Sequence, residues 1–394
     1  MKIVFLATFP STETMKYICG VIVASIYAGC NPTSTTVTPS LSPEVGFRNV
    51  SRFGKSFSGQ RRFGTPQEYI QLFNELLGNK TYAYMLLSDR RFNSTPSCPP
   101  EYIQIGSESF AMDQDPSEIG SGTSIFETID KSIVVKRVDT ELDFLLTLLW
   151  RDEAALNVLE DALNVSPIPL ELVQEPSMCM LRTMGMTSVG ENTLFDYYEQ
   201  NGLLDADTAV AIGKRAIRLI EQVHSRGLIH GDIHWGNFVY SNESDIVGSL
   251  RLIDYGRSMP YIDPVTGDHL GPDMLMPTMC DQFVWNDAYL SINELQGNPI
   301  SRRDDMYRLA EMLSFLMEGT DAIMEKRPPP RFSLNRKPRD LERNYLVPRR
   351  DVLNKKRFRS LKQTTHKCIA ELYYGSQMME LEETPNYNIL DMYS

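Results

Sequence analysis

Cysteine is scarce. Six occur in 394 residues, and no two are spaced Cys-x-x-Cys. That excludes a disulfide-built scaffold and argues against a structural zinc site. Long apolar runs are missing as well. None reaches 18 residues, which excludes a polytopic membrane protein and leaves no stable membrane span to expect. Basic charge is in the minority, with 39 Lys and Arg against 51 Asp and Glu and a net charge of −12. A surface built throughout for nucleic acid does not fit that balance. What remains is a globular mixture, 42% hydrophobic and 23% charged, neither disordered nor collagenous. The length suits one large two-lobed domain or two ordinary ones, with enough chain to bury a core unaided.

The N-terminus has the order of a targeting segment. Met15-Lys16 precedes the mostly apolar Tyr17–Tyr27, and small residues follow at Ala28-Gly29. Residues 1–30 are therefore expected to be a signal peptide or leader, placing the chain in the secretory pathway or outside the cell. A buried helix or weak anchor on a cytoplasmic chain is the alternative. Sequons at Asn49, Asn79, Asn93, Asn164 and Asn242 are compatible with secretion but arise easily by chance. Residues 31–104 read as a Ser/Thr/Pro tether followed by a small helical prelude. In it Thr65-Pro-Gln-Glu68 forms a capping box for a helix to about Leu77.

Charge is unevenly spread. Between Lys326 and Lys367 stand 15 Lys/Arg and three acidic residues, a local +12 that leaves −24 on the rest. The run reads as a solvated insertion over 326–367, or as a docking surface for an acidic or phosphorylated partner.

Chemistry concentrates in Leu228-Ile-His-Gly-Asp-Ile-His-Trp-Gly-Asn-Phe-Val-Tyr240. Phosphoryl transfer needs a carboxylate to orient the attacking hydroxyl and a neutral oxygen ligand for Mg²⁺. Asp232 and Asn237 stand at the two ends of such a loop. Downstream, Leu250-Arg-Leu-Ile-Asp-Tyr-Gly256 is an apolar strand that ends in Asp254, a carboxylate suited to a phosphate-bound Mg²⁺. A hairpin between the two segments would bring Asp232 and Asp254 to one cleft. Upstream, Ser132-Ile-Val-Val-Lys-Arg-Val138 is a β-branched strand carrying Lys136, a cation able to hold phosphates. The helix expected over 141–163 offers Glu153 as its partner. Before the strand, Gly120 and Gly122 would let backbone N–H groups approach an anion. His224 lies on an amphipathic helix and reads as packed. The methionines near Leu181 read as soft core filling.

These segments together resemble the eukaryotic protein kinase superfamily, and within it the casein kinase I group. Tyr289-Leu-Ser-Ile-Asn293, Ser301-Arg-Arg-Asp-Asp305 and Glu383-Thr-Pro-Asn-Tyr-Asn-Ile-Leu390 carry the closer likeness, which covers roughly 115–394. The resemblance implies an α+β two-lobed fold. A small antiparallel-sheet lobe would span 115–184 and a mainly helical lobe 185–394, with ATP and Mg²⁺ between them. It also implies a serine/threonine protein kinase that favours acidic or pre-phosphorylated protein substrates. By the same resemblance Lys136 and Glu153 form the activating ion pair, and Asp232 orients the substrate hydroxyl. Asn237 and Asp254 hold Mg²⁺, with Gly120 and Gly122 over the phosphates. Leu181 backs the adenine pocket, and Arg182–Met184, including Thr183, form the hinge. Asp305 bonds the catalytic-loop backbone.

The departures are specific. Gly231 stands where the group's relatives carry Arg, His234 where they carry Lys, Tyr255 where they carry Phe, and Ile125 where a third glycine is usual. His-Gly-Asp-x-His-x-Gly-Asn also resembles small-molecule phosphotransferases of the aminoglycoside and choline kinase type, which is the competing reading. A pseudokinase binding module is the other. None of the departures removes a metal ligand or the lysine, which favours an active enzyme.

Overall fold

A computed structural model describes residues 101–113, 118–119, 123–138, 143–162, 164–170, 172, 183–263, 266–272, 275, 290–319, 347–357, 359–361 and 365–393. The leader, the tether, the helix expected near 65–77, Gly120, Gly122 and Leu181 lie outside these residues.

The sheet lobe begins with a hairpin, β1 (Tyr102–Ile105) and β2 (Glu108–Ala111). A five-stranded antiparallel sheet follows. Its strands are β3 (Glu118–Ile119), β4 (Thr123–Glu127), β5 (Ile133–Val138), β6 (Pro169–Leu170) and β7 (Thr183–Thr187), in the order β3-β4-β5-β7-β6. Helix α1 (Asp143–Leu159) crosses between β5 and β6. Strand β5 shows how period-two alternation builds this lobe. Ile133 and Val135 point into a small core with Phe126, Ile103 and Met112, so the β1–β2 hairpin covers that face. Val134 and Val138 point the other way, into the main core with Met184, Met186 and Leu149. Lys136 shares that second face and therefore looks toward α1.

Strand β8 (Asn192–Thr193) leads into the helical lobe through α2 (Leu194–Asn201) and α3 (Ala206–Ser225). Asp205 caps α3 by accepting from the Thr208 N–H at 2.8 Å, and Ile212, Ala216, Leu219, Ile220 and Val223 bury one face. Two small ladders then frame the chemistry. Strand β9 (Leu228–Ile229) pairs with β12 (Met259–Pro260), and β10 (Phe238–Tyr240) pairs with β11 (Arg251–Leu252). Loop 230–237 and loop 253–258 are thus stapled to each other at both ends.

Further on lie α4 (Ile292–Gln296), the central α5 (Arg302–Glu318), α6 (Val347–Arg357) and α7 (Lys367–Met378). Nearly all of α5 is buried, charges included. Part of the basic run turns inward. Lys356 is buried against Glu311, and Arg359 lies 3.3 Å from Glu318 while stacking on Phe315 at 4.2 Å. These two cations are structural, not solvated. Among the described residues no helix is long and apolar enough to cross a membrane.

Candidate active site

Lys136 is the first anchor. Its Nζ donates to Asp152 Oδ2 and to Asp254 Oδ1, each at 2.8 Å. Asp152 comes from α1, and its second oxygen accepts from the Tyr255 N–H at 2.9 Å. One helix carboxylate therefore fixes both the lysine and the loop after Asp254. This corrects the expectation for Glu153. Successive helix side chains diverge by about 100°, and it is Asp152 that faces β5. Glu153 instead sits where burial first, and the Asp152 charge second, push its carboxyl up to about 8. Burial opposes the charge of Lys136, but Asp152 and Asp254 more than offset it and hold the ammonium ionised.

Asp254 adopts φ 61° and ψ 73°, a left-handed conformation that costs energy outside glycine. It is 40% exposed at the side chain, while Asp152 is 2% exposed. Burial would raise its carboxyl, yet Lys136 brings it below the usual range. Asn237 lies beside it through the ladder, since Ile253 N–H donates to Asn237 O at 3.0 Å. The Asn237 Nδ2 donates to Asp232 O at 2.8 Å, which fixes the amide and leaves Oδ1 as the end suited to a cation.

The loop around Asp232 is held from beneath. Asp305 of α5 accepts from the His230 N–H at 2.8 Å, the Gly231 N–H at 2.9 Å and the His224 ring at 2.9 Å. His224 also meets the Tyr387 hydroxyl at 2.8 Å, so it is a packed residue as expected. Asp304, next along α5, accepts from Ser291 Oγ at 2.6 Å and Asn293 Nδ2 at 3.2 Å. That explains why Ser-Ile-Asn and Arg-Arg-Asp-Asp occur together: one segment is pinned to the other. Lys136, Asp232, Asn237 and Asp254, drawn from 119 residues of chain, line one cleft.

A family model described as a protein kinase domain matches residues 168–372, just over half of the chain. The chain belongs to the protein kinase family. It is similar to Casein kinase 1-like protein HD16 of Oryza sativa subsp. japonica, 31% identical over 129 residues, covering 32% of this chain and 18% of that protein. Casein kinase I homolog 1 of Saccharomyces cerevisiae is 31% identical over 128 residues, with 32% and 22% covered. The 3-phosphoinositide-dependent protein kinase 1 of Arabidopsis thaliana is 26% identical over 142 residues, with 36% and 28% covered. The chain thus spans between 18% and 28% of the length of these relatives.

Kinase membership implies ATP and, as a rule, Mg²⁺. The residues present fit the metal, and Lys136 is a cation of the kind that holds phosphates. Among the described residues no group of three or more His, Cys, Asp or Glu forms a closed metal cage. A carboxylate at Asp254 and an amide oxygen at Asn237 would form a sparse hard-oxygen set of the kind that suits Mg²⁺ when phosphates complete its shell.

The expected hinge is displaced. Thr183 and Met184 lie within β7, paired with Arg137 and Lys136. The strand runs on to Thr187, and the Thr187 and Ser188 N–H groups are taken by Ile168 O and Ser132 O, each at 2.9 Å. The extended connection out of the sheet therefore begins at Ser188. A cleft of about 890 Å³ opens beside it, lined by Ser188, Asn192, Tyr240 and Arg251 among others. It does not include Lys136, Asp232 or Asp254, so it is not the nucleotide cleft.

Three functional-site residues escape a sequence reading: Arg257, Glu294 and Arg308. All are buried, and both arginines reach Asp232. Burial works to raise the Asp232 carboxyl, but Arg257, His234 and Arg308 bring it below the usual value.

Proposed function

We propose that the chain is an ATP-dependent serine/threonine protein kinase of the casein kinase I type. The observation that carries the reading is the shared grip of Lys136 on Asp152 and Asp254 at 2.8 Å. In the proposed reaction Lys136 holds the non-transferred phosphates, and Asp254 with Asn237 binds the metal. Mg²⁺, when bound, neutralises charge on the transferring group. Asp232 orients the acceptor hydroxyl and receives its proton as the oxygen attacks the γ-phosphorus and the bond to ADP breaks. Positioning and charge neutralisation supply most of the acceleration.

The casein kinase I relatives support a protein acceptor and, with it, the serine/threonine class. Acidic or pre-phosphorylated substrates are favoured by the cations of 326–367 other than Lys356 and Arg359. Transfer of radiolabel from Mg-ATP to casein, to a basic histone and to a panel of small alcohols and amines tests the reading. Phosphoserine or phosphothreonine on casein is expected. Turnover confined to the small molecules would instead support the phosphotransferase that the His-Gly-Asp-x-His pattern also resembles.

A further inference from the structure

Transfer as proposed uses only one charge on the acceptor side, yet three more meet there. Arg257 Nη1 lies 3.3 Å and Arg308 Nη1 3.2 Å from the same Oδ1 of Asp232. Both guanidiniums continue to Glu294. Arg257 Nη2 reaches Oε1 at 3.2 Å, while Arg308 reaches Oε2 through Nε at 2.9 Å and Oε1 through Nη2 at 2.5 Å. Each guanidinium bridges two carboxylates, a task its planar fork performs and a lysine ammonium does not. All four side chains are buried, so the pairs are little screened.

The two oxygens of Asp232 are thereby set apart. Oδ1 is held by both arginines. Oδ2 lies 3.9 Å from His234 Nε2, beyond hydrogen-bond reach. The unusual Gly231 belongs to the same arrangement. It sits at φ 74°, and a Cβ there would come within 2.7 Å of the Arg257 carbonyl oxygen. Any side chain at 231 would push away the segment that carries Arg257. The loss of Arg before Asp232 and the presence of Arg257 after Gly256 are therefore two halves of one packing solution.

We propose that Arg257 and Arg308, braced by Glu294, are positioning residues that hold Oδ1 of Asp232 and so present Oδ2 to the acceptor hydroxyl. The role rests on Asp232 acting in phosphoryl transfer, as proposed above. It makes the acceptor side self-assembled. Arg257 shares its loop with Asp254, so the metal side and the acceptor side are set by one short segment.

The test is steady-state kinetics of wild type, Arg257→Met, Arg257→Lys and Glu294→Gln, with casein as acceptor and KM for ATP measured alongside. Arg257→Met is expected to lower kcat by about tenfold to a hundredfold and leave KM for ATP within about twofold. Arg257→Lys restores part of kcat, because it supplies the charge but not the bridge. An unchanged kcat in Arg257→Met overturns the proposal, as does a loss of kcat matched by an equal loss of ATP binding. If Arg257→Met does not fold, Arg257→Lys and Glu294→Gln decide by the same split, and an unchanged kcat in both overturns it. Activity lost in Asp232→Ala but unchanged in the arginine variants would sink the positioning role alone. No transfer by the wild type would sink the function and this role with it.

Discussion

The two sides of the cleft are electrostatic mirror images, and they differ in completeness. On the nucleotide side one cation, Lys136, holds two carboxylates at 2.8 Å each. On the acceptor side one carboxylate, Asp232, is held by two cations at 3.2 and 3.3 Å. The acceptor cluster closes on itself, because Glu294 balances the second arginine. The nucleotide cluster is left one negative charge in excess, and the excess sits on the half-exposed Asp254. A preset, buried, neutral cluster suits a group that must point one way throughout. An open, anionic cluster suits a group that waits for a metal and a nucleotide.

The largest expected effect breaks the nucleotide side. Lys136→Met or Asp254→Asn should lower transfer by about a thousandfold or more, with circular dichroism still that of a folded chain, although Lys136→Met also lowers the unfolding transition because the buried Asp152 loses its cation. Activity within tenfold of wild type would contradict the assignment. Next, the two adjacent α1 carboxylates should separate. Asp152→Ala should cost about a hundredfold in kcat, since it loosens both Lys136 and the Tyr255 backbone. Glu153→Gln should change kcat by less than about threefold. Steady-state kinetics on the pair checks this, and the reverse ranking would restore Glu153 as the lysine's partner.

Away from the cleft, Lys356 and Glu311 form a buried pair that serves only the fold. Lys356→Met should destabilise by about 3 kcal/mol, because the buried Glu311 loses its closest cation and keeps only the Tyr307 hydroxyl at 3.3 Å and Arg359 at 3.8 Å. Adding Glu311→Gln should recover much of that in urea unfolding. A null effect would return Lys356 to the solvated surface. The smallest effect is a pH slope. Glu153 has a folded value near 8 against an ordinary 4.5. The folded state therefore prefers the proton, and stability falls as pH rises between those values. Glu153→Gln should remove that slope and melt above the wild type at pH 9, while the two coincide at pH 4.

The contrast between the two sides also explains what the sequence made legible. Lys136, Asp232, Asn237 and Asp254 each sit in a local pattern, on a β-branched strand or a loop ending in a strand, and short ladders make such patterns converge. The α+β two-lobed class came from the kinase resemblance that those patterns carry. Asp152 against Glu153 was a choice of helix phase, settled by which residue packs over β5 and not by either neighbour's chemistry. The hinge was placed early because nothing local marks where pairing along β7 stops; backbone partners in Ser132 and Ile168 decide it. The acceptor clamp was invisible for a different reason. Arg257, Glu294 and Arg308 are separated by 37 and 14 residues, and a charge destined for burial looks like any surface charge until its partners are known. Gly231 was the one local trace, an absent side chain whose reason lay 26 residues on.

In the proposed reaction Asp232 faces a metal-bound nucleotide held by Lys136 and Asp254. Transfer of radiolabelled phosphate at matched ATP occupancy by wild type and Asp232→Ala probes that arrangement. Nucleotide binding should be unchanged and transfer reduced by about a thousandfold. Equal transfer by the two proteins would remove Asp232 from the reaction.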